Sequence, residues 1–126
     1  MDDSLYFTEH HQQVREMVRD FSRTHIAPVA AELDQTSTFP WENIKGMGEL
    51  GLLGVPWSEE LGGAGMDQLS YYITIHEMAK VDASHAITIS AHTISGLRPS
   101  WTSVPRSRGG VTYPCWRRAR CWAASA

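Results

Sequence analysis

Every acidic residue of this chain lies between Asp2 and Asp82, and that confines an ordinary globular core to its first 95 or so of 126 residues. Fourteen acids stand there against five bases (Arg15, Arg19, Arg23, Lys45 and Lys80), a balance of −9. Residues 96–126 hold no acid, but six arginines, three of the five tryptophans and both cysteines. Folded domains intersperse the two signs of charge, so a break this clean marks two segments of different origin. From Leu97 onward no period survives: Pro99, Pro105, Pro114 and the pair Gly109-Gly110 fall among scattered Trp and Arg, a pattern of neither helix nor strand. We expect one folded domain over residues 1–95 and an irregular, disordered tail over 96–126.

The first segment reads as helices. Thr8 is placed to cap one, with Glu9 favourable near its positive end. Val14, Met17, Val18 and Phe21 then recur at i, i+3, i+4 and i+7 and share a face. Pro28 either kinks this helix or opens a new one, and the apolar pattern continues to about Leu33. Residues 36–40 form a polar connector. A further helix begins at Trp41 with Ile44, Met47 and Leu50 as its inward stripe, followed by the short apolar run Leu52, Leu53, Val55. Pro56 and Trp57 open a loop, and Ser58 to Met66 carries too many glycines for a helix interior. Asp67 caps the next helix, expected to turn Leu69, Tyr72, Ile73, His76 and Met78 or Ala79 inward. A last helix starts near Asp82 or Ser84 and runs through Ile87, Ile89, Ala91 and Ile94, although the Ile/Thr alternation would suit a strand equally by period. The expected fold is all-α, a small up-down bundle of four to five helices.

The N-terminus is acidic and polar, unlike a signal or transit peptide, and no apolar run approaches the ~18 residues of a membrane span. Cytosol is the default compartment.

Three stretches carry a family resemblance. Met47-Gly48-Glu49-Leu50-Gly51-Leu52-Leu53-Gly54-Val55-Pro56 runs on to Glu59-Glu60-Leu61-Gly62-Gly63-Ala64-Gly65-Met66-Asp67. Ile26-Ala27-Pro28-Val29-Ala30-Ala31-Glu32-Leu33-Asp34 precedes it, and His76-Glu77-Met78-Ala79-Lys80-Val81-Asp82-Ala83-Ser84 comes after. In order and spacing these resemble the N-terminal helical domain of the acyl-CoA dehydrogenases. The tail supports this independently. When the third base of each codon is read with the first two of the next, Trp101-Thr102 forces Asp, Cys115-Trp116 and Cys121-Trp122 each force Leu, and Trp122-Ala123 forces Gly. With permitted choices elsewhere, Ser100 to Ala126 becomes LDFGTEEQRRRYLPLLAPGEVLGGFG, which resembles the segment after these helices in the family. The tail therefore reads as out of frame, with a shift near residues 94–97.

The resemblance implies α,β-dehydrogenation of an acyl-CoA thioester: a carboxylate takes the α proton and the β hydrogen leaves as hydride to FAD. In the family the base and most flavin contacts come from later domains. No catalytic residue is therefore assigned among the fourteen acids, and the chain alone is not expected to retain FAD. What the resemblance places here is a wall of the acyl-chain cavity, with Thr88, Ala91 and His92 as candidates. The plainer reading of these three is ordinary packing. The expected partner is acyl-CoA, with no nucleic acid and no membrane, and the resemblance allows a homo-oligomer for the intact enzyme.

Other groupings invite less. His10-His11 stands at a helix start and reads as solvated. His76, His85 and His92 lack the compact spacing of a metal site. The Gly62-Gly63-Ala64-Gly65 loop lacks the preceding strand and glycine order of a dinucleotide site and reads as a turn. Two alternatives to a flavoenzyme piece are a non-catalytic helical interaction module and, taking the tail at face value, an Arg/Trp segment binding single-stranded nucleic acid.

Overall fold

The computed structural model describes residues 6–61 and 63–97; of the tail expected from residue 96, Gly96 and Leu97 belong to a helical turn and the expectations for the rest lie outside the described residues. Those residues are helical, with no strand among them. Five α-helices succeed one another: α1 Glu9–Phe21, α2 Ala27–Thr36, α3 Trp41–Glu49, α4 Gln68–Ala79 and α5 Ala83–Ala91. The all-α expectation holds, and the Ile/Thr segment is helix.

Between α1 and α2 the chain does not break. It widens into a π-turn, Ser22–Ile26, in which the Ala27 N–H reaches the Ser22 carbonyl five residues back. Pro28 then sits in the first turn of α2, directly after this widened turn. α2 reaches Thr36 and stops at Ser37, whose φ of 52° is left-handed. α4 packs against both α1 and α5. Val14 and Val18 of α1, Ile44 and Met47 of α3, Tyr71, Ile73 and Met78 of α4, and Ala86 and Ile89 of α5 meet in one core with Ile26, Leu52, Leu53 and Val55.

The structure departs from the expected inward faces at several places. Leu50 is exposed because α3 ends at Glu49 and the chain turns sharply at Gly51, φ 76°. That turn swings Leu52 and Leu53 inward in its stead. Tyr72 and His76 face outward, while Tyr71, Ser70, Thr74 and Glu77 are buried. α4 lies between two neighbours and buries a wider arc than one apolar stripe. On α5 and just beyond it, where the period sets no inward face, Ile87 and Ile94 are exposed.

Gly51 offers a direct check. A Cβ there would meet only Ala64 Cβ at 3.6 Å, an ordinary contact, so the obstacle to a side chain is the positive φ. Gly51→Ala is expected to lower stability by about 1 kcal/mol in a denaturant titration. An unchanged midpoint would show that the turn tolerates another φ.

Candidate functional site

The N-terminal ends of α1 and α4 are tied by one histidine. Thr8 caps α1, and where a capping box usually has Glu or Gln this chain has His11. His11 Nδ1 accepts the Thr8 N–H at 3.0 Å, so its proton rests on Nε2, which donates to Asp67 Oδ2 at 2.8 Å. Asp67 Oδ1 in turn accepts the Ser70 N–H at 2.8 Å and caps α4. His11 is thus buried and structural, not solvated; of the His10-His11 pair, His10 alone is exposed. The bonds from Ser70, and then the one from His11, hold the Asp67 carboxyl down at about 2. A depressed carboxylate contributes stability that is complete above its ordinary value and lost as pH falls through the folded one. Stability is therefore expected to decline between about pH 4 and pH 2. Asp67→Asn, which keeps a capping oxygen, should flatten part of that decline in thermal melts, and an identical slope would contradict it.

α5 is capped in the same manner. Asp82 accepts the His85 N–H at 3.1 Å and also bonds His85 Nδ1, while His85 Nε2 faces the Asn43 amide at 3.2 Å. Burial opposes the Asp82 charge, but the His85 and Ser84 bonds outweigh it and hold the carboxyl below its usual range. Glu77, buried on α4, receives Lys80 Nζ at 2.8 Å and Arg19 Nη2 at 3.3 Å, with Arg15 Nε at 3.8 Å. Sequence reading missed Glu77. The signal was there in Arg15 and Arg19, spaced to share a face of α1, but their partner is 58 residues from Arg19.

Of the three candidate cavity residues, the structure places each differently. Thr88 is half-buried, its hydroxyl donated to the Ser84 carbonyl at 2.8 Å, and it opens onto a groove of about 330 Å³ with Leu33, Phe39 and His85. Ala91 is exposed on the last turn of α5. His92 is buried, and its Nδ1–H points at the Leu53 carbonyl, 3.1 Å away. Beyond Ala91 the chain loosens into a second π-turn, His92–Leu97. Ile87, Ala91 and Ile94 consequently form an uncovered apolar stripe at i, i+4 and i+7.

The glycine loop is not built for a nucleotide. The N–H groups of Gly63, Ala64, Gly65 and Met66 are taken by the carbonyls of Ser58, Gly54, Trp57 and Val55. A Cβ on Gly65 would come within 3.1 Å of Glu59 Cγ, so a carboxylate-bearing side chain lies where phosphates would approach. These residues do not fit the pyrophosphate of FAD. Among the described residues no three His, Cys, Asp or Glu side chains converge as a metal site. No helix among them is long and apolar enough to cross a membrane.

Comparison with known proteins agrees with this architecture. The profile of the "Acyl-CoA dehydrogenase, N-terminal domain" matches residues 8–101. The short-chain specific acyl-CoA dehydrogenase of Clostridium acetobutylicum is 48% identical over 86 residues, covering 68% of this chain and 23% of that protein. An acyl-CoA dehydrogenase of Bacillus subtilis is 42% identical over 95 residues, 75% of this chain and 25% of its own. Among solved structures, butyryl-CoA dehydrogenase from Megasphaera elsdenii superposes with a TM-score of 0.80 at 28% identity, over 90% of this chain and 30% of that one. The chain spans about a quarter of the length of the curated relatives it matches. It belongs to the acyl-CoA dehydrogenase family, and what it carries is that family's N-terminal domain.

Proposed function

We propose that these helices serve an FAD-dependent acyl-CoA dehydrogenase, and that α5 with the π-turn after it forms one wall of the cavity holding the acyl chain. The observation that carries this is the stripe Ile87, Ala91, Ile94. Two isoleucines 66% and 49% exposed on one helix face call for an apolar cover that the described residues do not supply. An acyl chain and the domain closing over it would supply one. Ala91, the small residue in the middle of the stripe, leaves room for substrate. Thr88 flanks it, and His92 fixes it from behind through Leu53. The names of the relatives, short-chain and butyryl-CoA dehydrogenases, support a short acyl group.

FAD would accept the β hydrogen as hydride; most of its contacts are expected from the domains that follow, the glycine loop here does not fit its pyrophosphate, and the α-proton base is assigned to none of the acids described here. On this reading the tail beyond residue 97 is out of frame, and the 126-residue chain purified alone holds no stoichiometric flavin and has no dehydrogenase activity. A yellow, active preparation would refute that.

The wall is tested in the frame-restored enzyme. Ala91→Phe is expected to lower kcat/KM for the longer of two acyl-CoA substrates roughly tenfold more than for the shorter, with flavin content unchanged. An equal loss on both chain lengths would remove α5 from the cavity.

A further inference from the structure

A capping box ordinarily closes with a Glu or Gln side chain, whose oxygens go on accepting hydrogen bonds throughout the neutral pH range. In α1 the closing residue is His11, and imidazole is the one side chain whose ordinary charge change falls between about pH 5 and pH 8. Its acceptor is a single lone pair on Nδ1, engaged by the Thr8 N–H at 3.0 Å. Protonation replaces that lone pair with an N–H, and ring and backbone would then face each other donor to donor. Thr8 Oγ1, also 3.0 Å from Nδ1, can accept the new N–H. On the far side of the ring nothing is lost. Nε2 donates to Asp67 Oδ2 at 2.8 Å in either form, and the bond strengthens once the ring is charged. One proton therefore acts in opposite senses on the two ties that His11 makes.

We infer that His11 is a proton-operated clasp on the chain entering α1: neutral, it holds the Thr8 N–H and Asp67 together; charged, it releases the Thr8 N–H and keeps Asp67. The released amide directly follows Phe7, which packs on the core. The Phe7 ring stands edge-on to His11 with centroids 6.2 Å apart, and the Arg15 guanidinium lies 4.5 Å from its centre. Acid therefore loosens the backbone at the entry to α1 while the junction with α4 holds. The charged and titratable groups around the ring are Glu9, His10 and Arg15 on α1, and Asp67, Tyr71 and Glu77 at and along α4. His10 is exposed, its ring centroid 6.0 Å from that of His11. Arg15 is directed at Phe7 and at Glu77, 3.8 Å away. The carboxylate bonded to His11 is Asp67, held down at about 2 by Ser70 and then by His11 itself. It stays ionised across the whole range in which an imidazole takes up its proton, so the α4 side of the clasp is constant while the Thr8 side changes.

The test is a titration of the full 126-residue chain from about pH 8 to about pH 5, followed at the Thr8 amide and the His11 ring by two-dimensional NMR. The Thr8 amide proton is expected to move upfield in step with the His11 ring signals, with one shared midpoint. Its hydrogen exchange, corrected for the intrinsic effect of pH, should quicken roughly two- to tenfold over the same range, the size of one net hydrogen bond. His11→Gln keeps an acceptor for Thr8 and a neutral donor for Asp67, so its Thr8 amide should show no such midpoint. His10→Gln should leave the Thr8 response in place. A Thr8 amide that keeps its shift while His11 titrates, or a His11 ring that takes up no proton in the folded chain across this range, would overturn the clasp. So would a Thr8 response that persists in His11→Gln or vanishes in His10→Gln. The first two outcomes are read on the unaltered chain and stand even if a variant does not fold.

Discussion

Leu53→Ala is expected to lower the stability of the helical domain by roughly 2–5 kcal/mol, the range for emptying a fully buried leucine site. Leu53 has no exposed surface and sits in the short 3-10 turn Leu52–Gly54, where the chain reverses after α3. Its position is fixed from two sides. Gly51 sets the turn in front of it, and its carbonyl accepts the His92 Nδ1–H from the far end of α5. A site so pinned collapses poorly around a cavity, which puts the loss toward the upper end of the range. Small domains have only about 5–15 kcal/mol in total, so the variant should unfold at a far lower denaturant concentration. A loss below about 1 kcal/mol would mean that the turn is not part of the core.

Glu77→Ala should cost roughly 2–3 kcal/mol. The carboxylate is 3% exposed and holds Lys80, Arg19 and Arg15 around it. Breaking a buried ion pair from one side usually costs more, about 3–5 kcal/mol, because the remaining charge is stranded. Here the remaining charges are the basic groups, and the Arg19 and Lys80 side chains are 39% and 51% exposed, so they recover water. Arg19→Ala leaves Glu77 with Lys80 and Arg15 and should cost less, about 1 kcal/mol. Burial disfavours the Glu77 charge, but Lys80 and Arg19 outweigh it and hold the carboxyl below its usual value, so this contribution fades as the pH falls below the ordinary carboxylate range. Chemical denaturation of both variants at neutral pH checks the order, and an Arg19 loss exceeding the Glu77 loss would contradict the arrangement.

These two residues also show how far the sequence alone is legible. Leu52, Leu53 and Val55 announce themselves as an apolar run, and the stripe of α1 is set by spacing alone. The caps at Thr8, Asp67 and Asp82 are readable because the cap residue and its helix are adjacent in sequence. What escapes depends on distant partners. His11 is buried because Asp67 lies opposite it, and Glu77 because α1 presents arginines to α4. Tyr72 and His76 fit an apolar period of α4, yet α1 and α5 flank that helix and turn them outward. At the candidate wall, resemblance singles out Thr88, Ala91 and His92 without a way to orient them. Helix geometry separates neighbours by about 100° per residue, which leaves Ala91 at the surface and His92 in the core. For the isoleucines on either side of Ala91 the sequence sets no inward or outward face, because period alone cannot tell a face that packs within the domain from one awaiting another.

The central claim, that this domain opens a longer flavoenzyme whose frame is lost near its last helix, rests most directly on the bases themselves. Sequencing the gene across the codons for Thr93 to Arg98 and on through Ala126 decides it. The account predicts that, read one position out of register after that point, the bases encode Leu-Asp-Phe-Gly-Thr-Glu-Glu and continue without a stop as further acyl-CoA dehydrogenase sequence. A stop codon in the displaced frame before the codon for Ala126, or codons that do not yield that string, would contradict it.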